Sequence, residues 1–137
     1  MWFYNGKEFQ DSDISDYEGF VYIITNLSNN RKYIGQKKFY NKITKKPLKG
    51  KNRKRHSKII SDWKDYYGSN DELLNEINEL GKDNYRREII HLCKGKAEMN
   101  YLESKEIFSR DSLISNDYYN SWVSCKINKN QLRKFNG

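Results

Sequence analysis

Residues 19–36 hold two β-rich phrases around a short polar turn. The first reads Gly19-Phe20-Val21-Tyr22-Ile23-Ile24-Thr25-Asn26, and the second reads Lys32-Tyr33-Ile34-Gly35-Gln36. Between them lies Leu27-Ser28-Asn29-Asn30-Arg31, whose Ser and Asn residues suit a tight turn. Branched and aromatic residues dominate both runs, so the pattern predicts a β-hairpin. Val21, Ile23 and Thr25 alternate with Phe20, Tyr22 and Ile24. With apolar groups on both faces, the first strand is expected to be central in its sheet. Tyr22 and Tyr33 are expected across the ladder from one another. A glycine within a strand marks close backbone approach or a bulge, and Gly35 holds such a position.

The rest of the chain reads as further elements of one domain, the size that 137 residues suit. Hydrophobic residues are only 36% of the total, but the 15% of aromatic residues bury much area each and allow a small core. Residues 1–18 read as a lead-in segment in which Trp2, Phe3, Tyr4 and Phe9 form a strand against the core. Residues 37–56 lack a period and contain Pro47 and Gly50, which predicts a long basic loop, with room for a small ribbon. A helix is predicted over Ser57–Tyr66, with Ile59, Ile60 and Trp63 inward and Gly68 ending it. Ser69-Asn70-Asp71-Glu72 reads as a capping box opening a second helix through Leu80, stopped by Gly81. Tyr85–Cys93 reads as a third strand and Lys96–Phe108 as a third helix. The expected fold class is α/β (α+β): a small, mainly antiparallel three-stranded sheet flanked by helices.

Charge is distributed unevenly along the chain. Residues 37–58 carry eleven Lys and Arg and no acid, more than the net +8 of the whole chain. A solvated face would mix signs. Charge concentrated in this way fits a polyanion, with counterion release driving the contact. Lys37, Lys38, Lys42, Lys45, Lys46, Lys49, Lys51, Lys54 and Lys58 are therefore the candidate nucleic-acid-binding residues. The segment lacks the amphipathic apolar face that would bind a membrane. No apolar run has the length of a membrane span and no secretory core opens the chain, so an intracellular, cytoplasmic protein is expected. Cys93 and Cys125 read as two reduced thiols.

Few residues have the pattern of a reactive site. On the third predicted helix Glu103 shares a stripe with Met99 and Ile107, and Asn100 lies one turn before it. A carboxylate among apolar neighbours is costly unless it is paired, protonated or bound to a metal. Taken alone, Glu103 fits better as an edge-of-core residue reaching water or bonding Lys105 or Arg86, and the tyrosine phrases that precede it reverse that weighting. His56, His91, Cys93 and Cys125 do not have zinc-ligand spacing.

The two tyrosine phrases, followed in order by a basic segment, the helical Glu103 and the later Asn120, resemble the signature of the GIY-YIG nucleases. Asp62-Trp63-Lys64-Asp65-Tyr66-Tyr67-Gly68-Ser69, Asn100-Tyr101-Leu102-Glu103 and Tyr118-Tyr119-Asn120 are similar to a phage-encoded, free-standing, homing-type branch of that family. The resemblance implies a metal-dependent endonuclease acting on double-stranded DNA, as a monomer or a DNA-dependent dimer, in the host cytoplasm if phage-encoded. It assigns residues 19–120 to a nuclease domain with the basic loop 37–58, and 121–137 to a basic tail. Glu103 would hold one Mg²⁺, with Mn²⁺ able to substitute. Tyr22 would stand near the attacking water as base or orienting partner, and Tyr33 would bond the phosphate or orient that water. Cations of the basic stretch would bring Tyr22 within working range of neutral pH. Asn120 would bond the phosphate or brace the site, and His56 would relay a proton. Where the family carries its arginine this chain has Ile43, which leaves Arg53, ranked first, and Arg55 as candidates. A non-catalytic nucleic-acid-binding module is the alternative.

Overall fold

The computed structural model describes residues 1–50, 52 and 55–132, with the backbone alone for Lys45, Arg55 and His56. Its strands are β1 (Trp2–Tyr4), β2 (Lys7–Glu8), β3 (Gly19–Asn26), β4 (Lys32–Lys38), β5 (Tyr40–Lys45), β6 (Arg55–Ile60) and β7 (Tyr85–Cys93). Two α-helices follow the chain order as α1 (Asp71–Leu80) and α2 (Lys96–Ser109). Five strands form one sheet in the order β2-β1-β7-β3-β4, and β5 and β6 form a separate two-stranded ribbon.

β3 is central, as its two apolar faces predict, and all eight of its residues are buried. It pairs antiparallel with β4 on one side and β7 on the other. Phe20, Tyr22 and Ile24 pack with Phe39, Trp63 and the α1 residues Leu73 and Ile77. Val21, Ile23 and Ile34 pack on the opposite face beneath Met99, Leu102 and Ile107 of α2. Gly19 permits that helix to come close, because a Cβ there would lie 2.7 Å from the Lys37 carbonyl and would strike the Met99 sulfur.

The expected three-stranded sheet is corrected to five strands. β1 joins β7 in parallel, with Trp2 opposite Arg87, and β2 adds outside it. Such a distant pairing leaves no local trace in sequence. What holds it is Trp2, whose ring meets Phe20 at 4.9 Å and whose indole N–H donates to the Trp63 carbonyl at 2.7 Å.

The helix predicted over 57–66 is also corrected. Residues 55–60 pair with β5 as a strand, and a single 3₁₀ turn spans Trp63–Asp65. The apolar spacing of Ile59, Ile60 and Trp63 imitates a helical stripe, yet only Trp63 is buried. Ile59 and Ile60 are 49% and 53% exposed. The ribbon hangs from the end of β4, where Ser61 donates its N–H to the Phe39 carbonyl and its hydroxyl to the Lys38 carbonyl.

α1 begins one residue later than the capping-box reading. Asn70 is its N-cap, accepting from the Leu73 N–H at 2.9 Å, which leaves the Ser69 hydroxyl for another partner. Gly81 ends the helix as predicted. Among the described residues, no helix is long and apolar enough to cross a membrane.

Candidate active site

β4 is the last strand of the sheet, bridged at Lys32 by Tyr118, and a cleft of about 320 Å³ wraps around it. Tyr22, Tyr33, Glu103 and Asn120 all line this cleft. The two tyrosines belong to the face that packs on α1, whereas Glu103 comes from α2 on the other face. They converge because the edge strand between them narrows to Gly35. Tyr22 is paired with Gly35 in register, and Tyr33 with Ile24. The phenols are therefore diagonal neighbours rather than directly opposed, with ring centroids 6.2 Å apart. A Cβ at residue 35 would lie 2.5 Å from Tyr22 Cζ and closer still to the hydroxyl. Only glycine lets that phenol lie across the strand.

Tyr22 is 1% exposed and sits among the rings of Trp2, Tyr33 and Tyr66. Burial pushes its pKa well above the ordinary phenol value, and Tyr66, Tyr33 and Glu103 push the same way. Tyr33 is raised too, first by burial, while its hydrogen bond with Ser69 (3.3 Å between the hydroxyls) pulls back. The cation expected beside Tyr22 from the basic stretch is directed elsewhere in the case of Lys37, which pairs with Asp62 at 2.6 Å and lies 4.2 Å from the Tyr66 ring centre. Among the described residues lining the cleft, the cation is Lys96.

Glu103 is half-buried, and burial raises its pKa against the opposing pull of Gln36 and Lys96. Gln36 is the hub of this wall. Its amide N–H₂ donates to the Glu103 carboxylate and to Asn100 Oδ1 at 3.0 Å, and its carbonyl accepts from Lys96 Nζ at 2.8 Å. Lys96, Asn100 and Glu103 follow one another at one-turn intervals on α2, so a single helical stripe delivers all three. That spacing was present in the sequence; the partnership with Gln36 was not.

Asn120 does the work of a strand partner. Its Oδ1 accepts from the Ile34 N–H at 3.0 Å, and its Nδ2 donates to the Ile34 carbonyl at 2.9 Å. Both ends of the amide are thereby committed to the open edge of β4. Arg87, unremarked in sequence, is buried on β7 and donates to the carbonyls of Lys64 (2.9 Å) and Tyr66 (2.8 Å). It stacks over Tyr67 at 4.1 Å and so fixes the turn that carries Tyr66 into the cleft.

The remaining candidates lie along the ribbon. Lys37 and Lys38 end β4, Lys42 and Lys45 are on β5, and Lys58 is on β6. Lys46 and Lys49 lie beyond the end of β5 and are exposed. Arg55 and His56 are on β6, opposite Lys45 and Thr44, with side chains outside what is described. Lys51, Arg53 and Lys54 lie outside the described residues. His91 is half-buried on β7 and hydrogen-bonds Glu106 at 2.8 Å. Cys93 is a buried free thiol that burial pushes up to about 12.

Among the described residues, no group of three or more His, Cys, Asp or Glu side chains could hold a metal. A cation fully caged by protein does not suit this cleft. A hard cation that keeps most of its water and takes one carboxylate does suit it, since Mg²⁺ commonly binds through one or two carboxylates plus phosphate oxygens.

A tyrosine hairpin at the edge of a mixed sheet thus meets a helical carboxylate across that edge in one cleft. The chain matches a family model over residues 2–123, described as "Putative endonuclease segE, GIY-YIG domain". It belongs to this GIY-YIG endonuclease domain family. No curated protein and no solved structure matches the chain.

Proposed function

We propose that the protein is a metal-dependent, homing-type DNA endonuclease that hydrolyses phosphodiester bonds in double-stranded DNA. The observation that carries this reading is the meeting of Tyr22, Tyr33 and Glu103 in one cleft at the edge of β4. Family membership supports the reaction class. The net charge of +8 and the lysine-rich ribbon favour a polyanionic substrate.

Glu103 would hold one Mg²⁺, or Mn²⁺ in its place, and a cation bound there would supply charge stabilisation to the leaving oxygen. Gln36 holds the Glu103 carboxylate in position and is itself held by Lys96 and Asn100. Tyr22 keeps its proton at neutral pH, because burial raises its pKa and Tyr66, Tyr33 and Glu103 add to the rise. Its hydroxyl therefore orients the attacking water, while Tyr33 hydrogen-bonds the phosphate. Lys96 offsets negative charge as it grows on the phosphate oxygens. Arg53 or Arg55 adds charge at the same phosphate, and His56 relays a proton. Asn120 braces the edge strand that carries Tyr33 and Gly35. Water attacks directly, with no covalent enzyme intermediate. One site cuts one strand per encounter, so a double-strand break takes a DNA-dependent dimer or a second visit by a monomer.

The test is supercoiled plasmid incubated with Mg²⁺ or with chelator. Nicking or linearisation that needs the metal and is lost in Glu103→Ala is the expected result. A salt-sensitive gel shift with no cutting under any divalent cation would instead make the protein a nucleic-acid-binding module.

A further inference from the structure

The base of the ribbon and the first turn of α2 enclose a second hollow of about 350 Å³. Lys38, Lys42, Lys58, Lys94 and Lys96 line it, and among its described lining residues Glu18 is the one acid. Folding gathers these lysines from the end of β4, both ribbon strands and the start of α2. It does so against their mutual repulsion. Lys42 and Lys58 stand directly opposite on the ladder, an unfavourable arrangement for like charges. Lys38 repels Lys96. Lys58 is relieved by Glu18 at 2.5 Å and Lys94 by Asp16 at 3.3 Å. Neither Lys38 nor Lys42 has a carboxylate partner among the described residues. α2 also begins here without a side-chain cap. Positive charge concentrated in a concave site is the electrostatic form of an anion seat.

The position of the hollow narrows the choice of anion. Lys96 lines both this hollow and the cleft, where its Nζ donates to Gln36 at 2.8 Å. The two spaces are therefore contiguous across one side chain. A polyanion with one phosphate at Glu103 brings its neighbouring phosphate to the lysines.

We propose that the lysine-ringed hollow seats a second phosphate of the DNA strand being cut, adjacent to the phosphate at Glu103, with Lys96 shared between the two seats. The proposal rests on the endonuclease reading above. Glu18 then acts as a built-in competitor, since its carboxylate occupies Lys58 until a phosphate displaces it.

The experiment is a methylphosphonate scan, which removes the charge of one phosphate at a time from a duplex in which the Mg²⁺-dependent cut has been mapped. Binding is measured in chelator, so no cutting intervenes. Neutralising one phosphate next to the cut site should weaken wild-type binding on the order of tenfold, the value of a charge-assisted contact. The same substitution should cost little in a Lys38→Gln, Lys42→Gln, Lys94→Gln protein. Glu18→Gln should tighten binding several-fold on the unmodified duplex and much less on the duplex neutralised at that one phosphate, a dependence that a general gain of positive charge would not produce. Equal sensitivity at every phosphate, no coupling to the lysine variants, or unchanged affinity in Glu18→Gln would each overturn the seat. A protein that binds duplex and cuts none with Mg²⁺ would overturn the nuclease reading and the seat with it, whereas mapped cutting without the coupling would overturn the seat alone.

Discussion

Tyr22 and Gly35 face one another across the β3–β4 ladder, and the phenol fills the space that the glycine leaves. The contact explains why a tyrosine on one strand and a glycine on the next occur together. It also makes the pair testable as a unit. Gly35→Ala places a methyl group against a buried ring and should cost roughly 1–3 kcal/mol, the usual range for overpacking. In a Tyr22→Ala background the same change should cost much less, because the obstructing ring is gone. Denaturant titration of the four proteins gives the coupling. An equal loss in both backgrounds would mean that Gly35 is needed for its backbone and not for the phenol.

Tyr22→Phe keeps the ring and removes only the hydroxyl. The fold should survive, since the ring contacts with Trp2, Tyr33 and Tyr66 remain. The cleavage rate should fall by about 10²-fold or more, as when a group that handles the attacking water is removed. Single-turnover cleavage on saturating DNA separates this from weaker binding. A rate equal to wild type would remove the hydroxyl from the reaction.

Legibility in the sequence followed physical locality. β3, β4 and β7, α1 and α2 each show their own period or turn chemistry within a dozen residues, and all five appear close to the expected bounds. β6 was hidden because Ile59, Ile60 and Trp63 imitate a helical stripe, while the ribbon's actual constraint is its pairing with β5. A strand of Trp2, Phe3, Tyr4 and Phe9 was expected; Trp2–Tyr4 forms one and Phe9 lies outside it, and the strand's parallel pairing with β7 depends on residues far along the chain. The site shows the same division. Tyr22, Tyr33, Glu103 and Asn120 could be named through the family resemblance, and the four line one cleft. The role of Gln36 could not, because it consists of hydrogen bonds to three residues of a distant helix. Arg87 has no local sequence signal that separates it from the exposed Arg86 beside it, yet burial and two backbone carbonyls make it an internal clamp.

Glu103 should trade stability for function. Burial raises its folded-state pKa above the ordinary 4.5. Between those two values the unfolded chain has already released the proton that the folded protein keeps, so stability falls as pH rises through that window. Above the folded value the full cost persists. Glu103→Gln removes it and should be more stable than wild type at neutral pH, with the difference closing as pH falls toward 4.5. Mg²⁺ should then stabilise wild type and leave the variant unchanged, because a ligand shifts stability only where it binds. Chemical denaturation across pH, with and without Mg²⁺, reads both effects. A variant less stable than wild type at neutral pH would show that the Gln36 contact outweighs burial.

Asn120 separates bracing from direct contact with DNA. Asn120→Ala strips the buried Ile34 N–H and carbonyl of their partners and should cost roughly 1–3 kcal/mol. Measured well below its melting temperature, the variant should cut faster than Tyr22→Phe. Unchanged stability with a rate loss as large as that of Tyr22→Phe would mean that the amide leaves Ile34 and works on the phosphate.

The lysines of the ribbon and its loop should contribute binding and little chemistry. The ribbon has only two strands and stands apart from the main sheet, and Lys42 and Lys58 oppose one another on it. Such an element gains from a polyanion that screens its own repulsion. Replacing Lys45, Lys46, Lys49 and Lys51 with Gln should weaken DNA binding for every sequence alike. The slope of log affinity against log salt should become shallower by about 0.9 for each phosphate that these lysines no longer neutralise. Because such charge pairing is the same in ground and transition states, kcat/KM should fall while the rate on saturating DNA holds. Binding isotherms at several salt concentrations, on two unrelated duplexes, check both. An affinity loss confined to one duplex would show that these lysines read base edges, and a fall in the saturated rate would bring these lysines into the reaction itself.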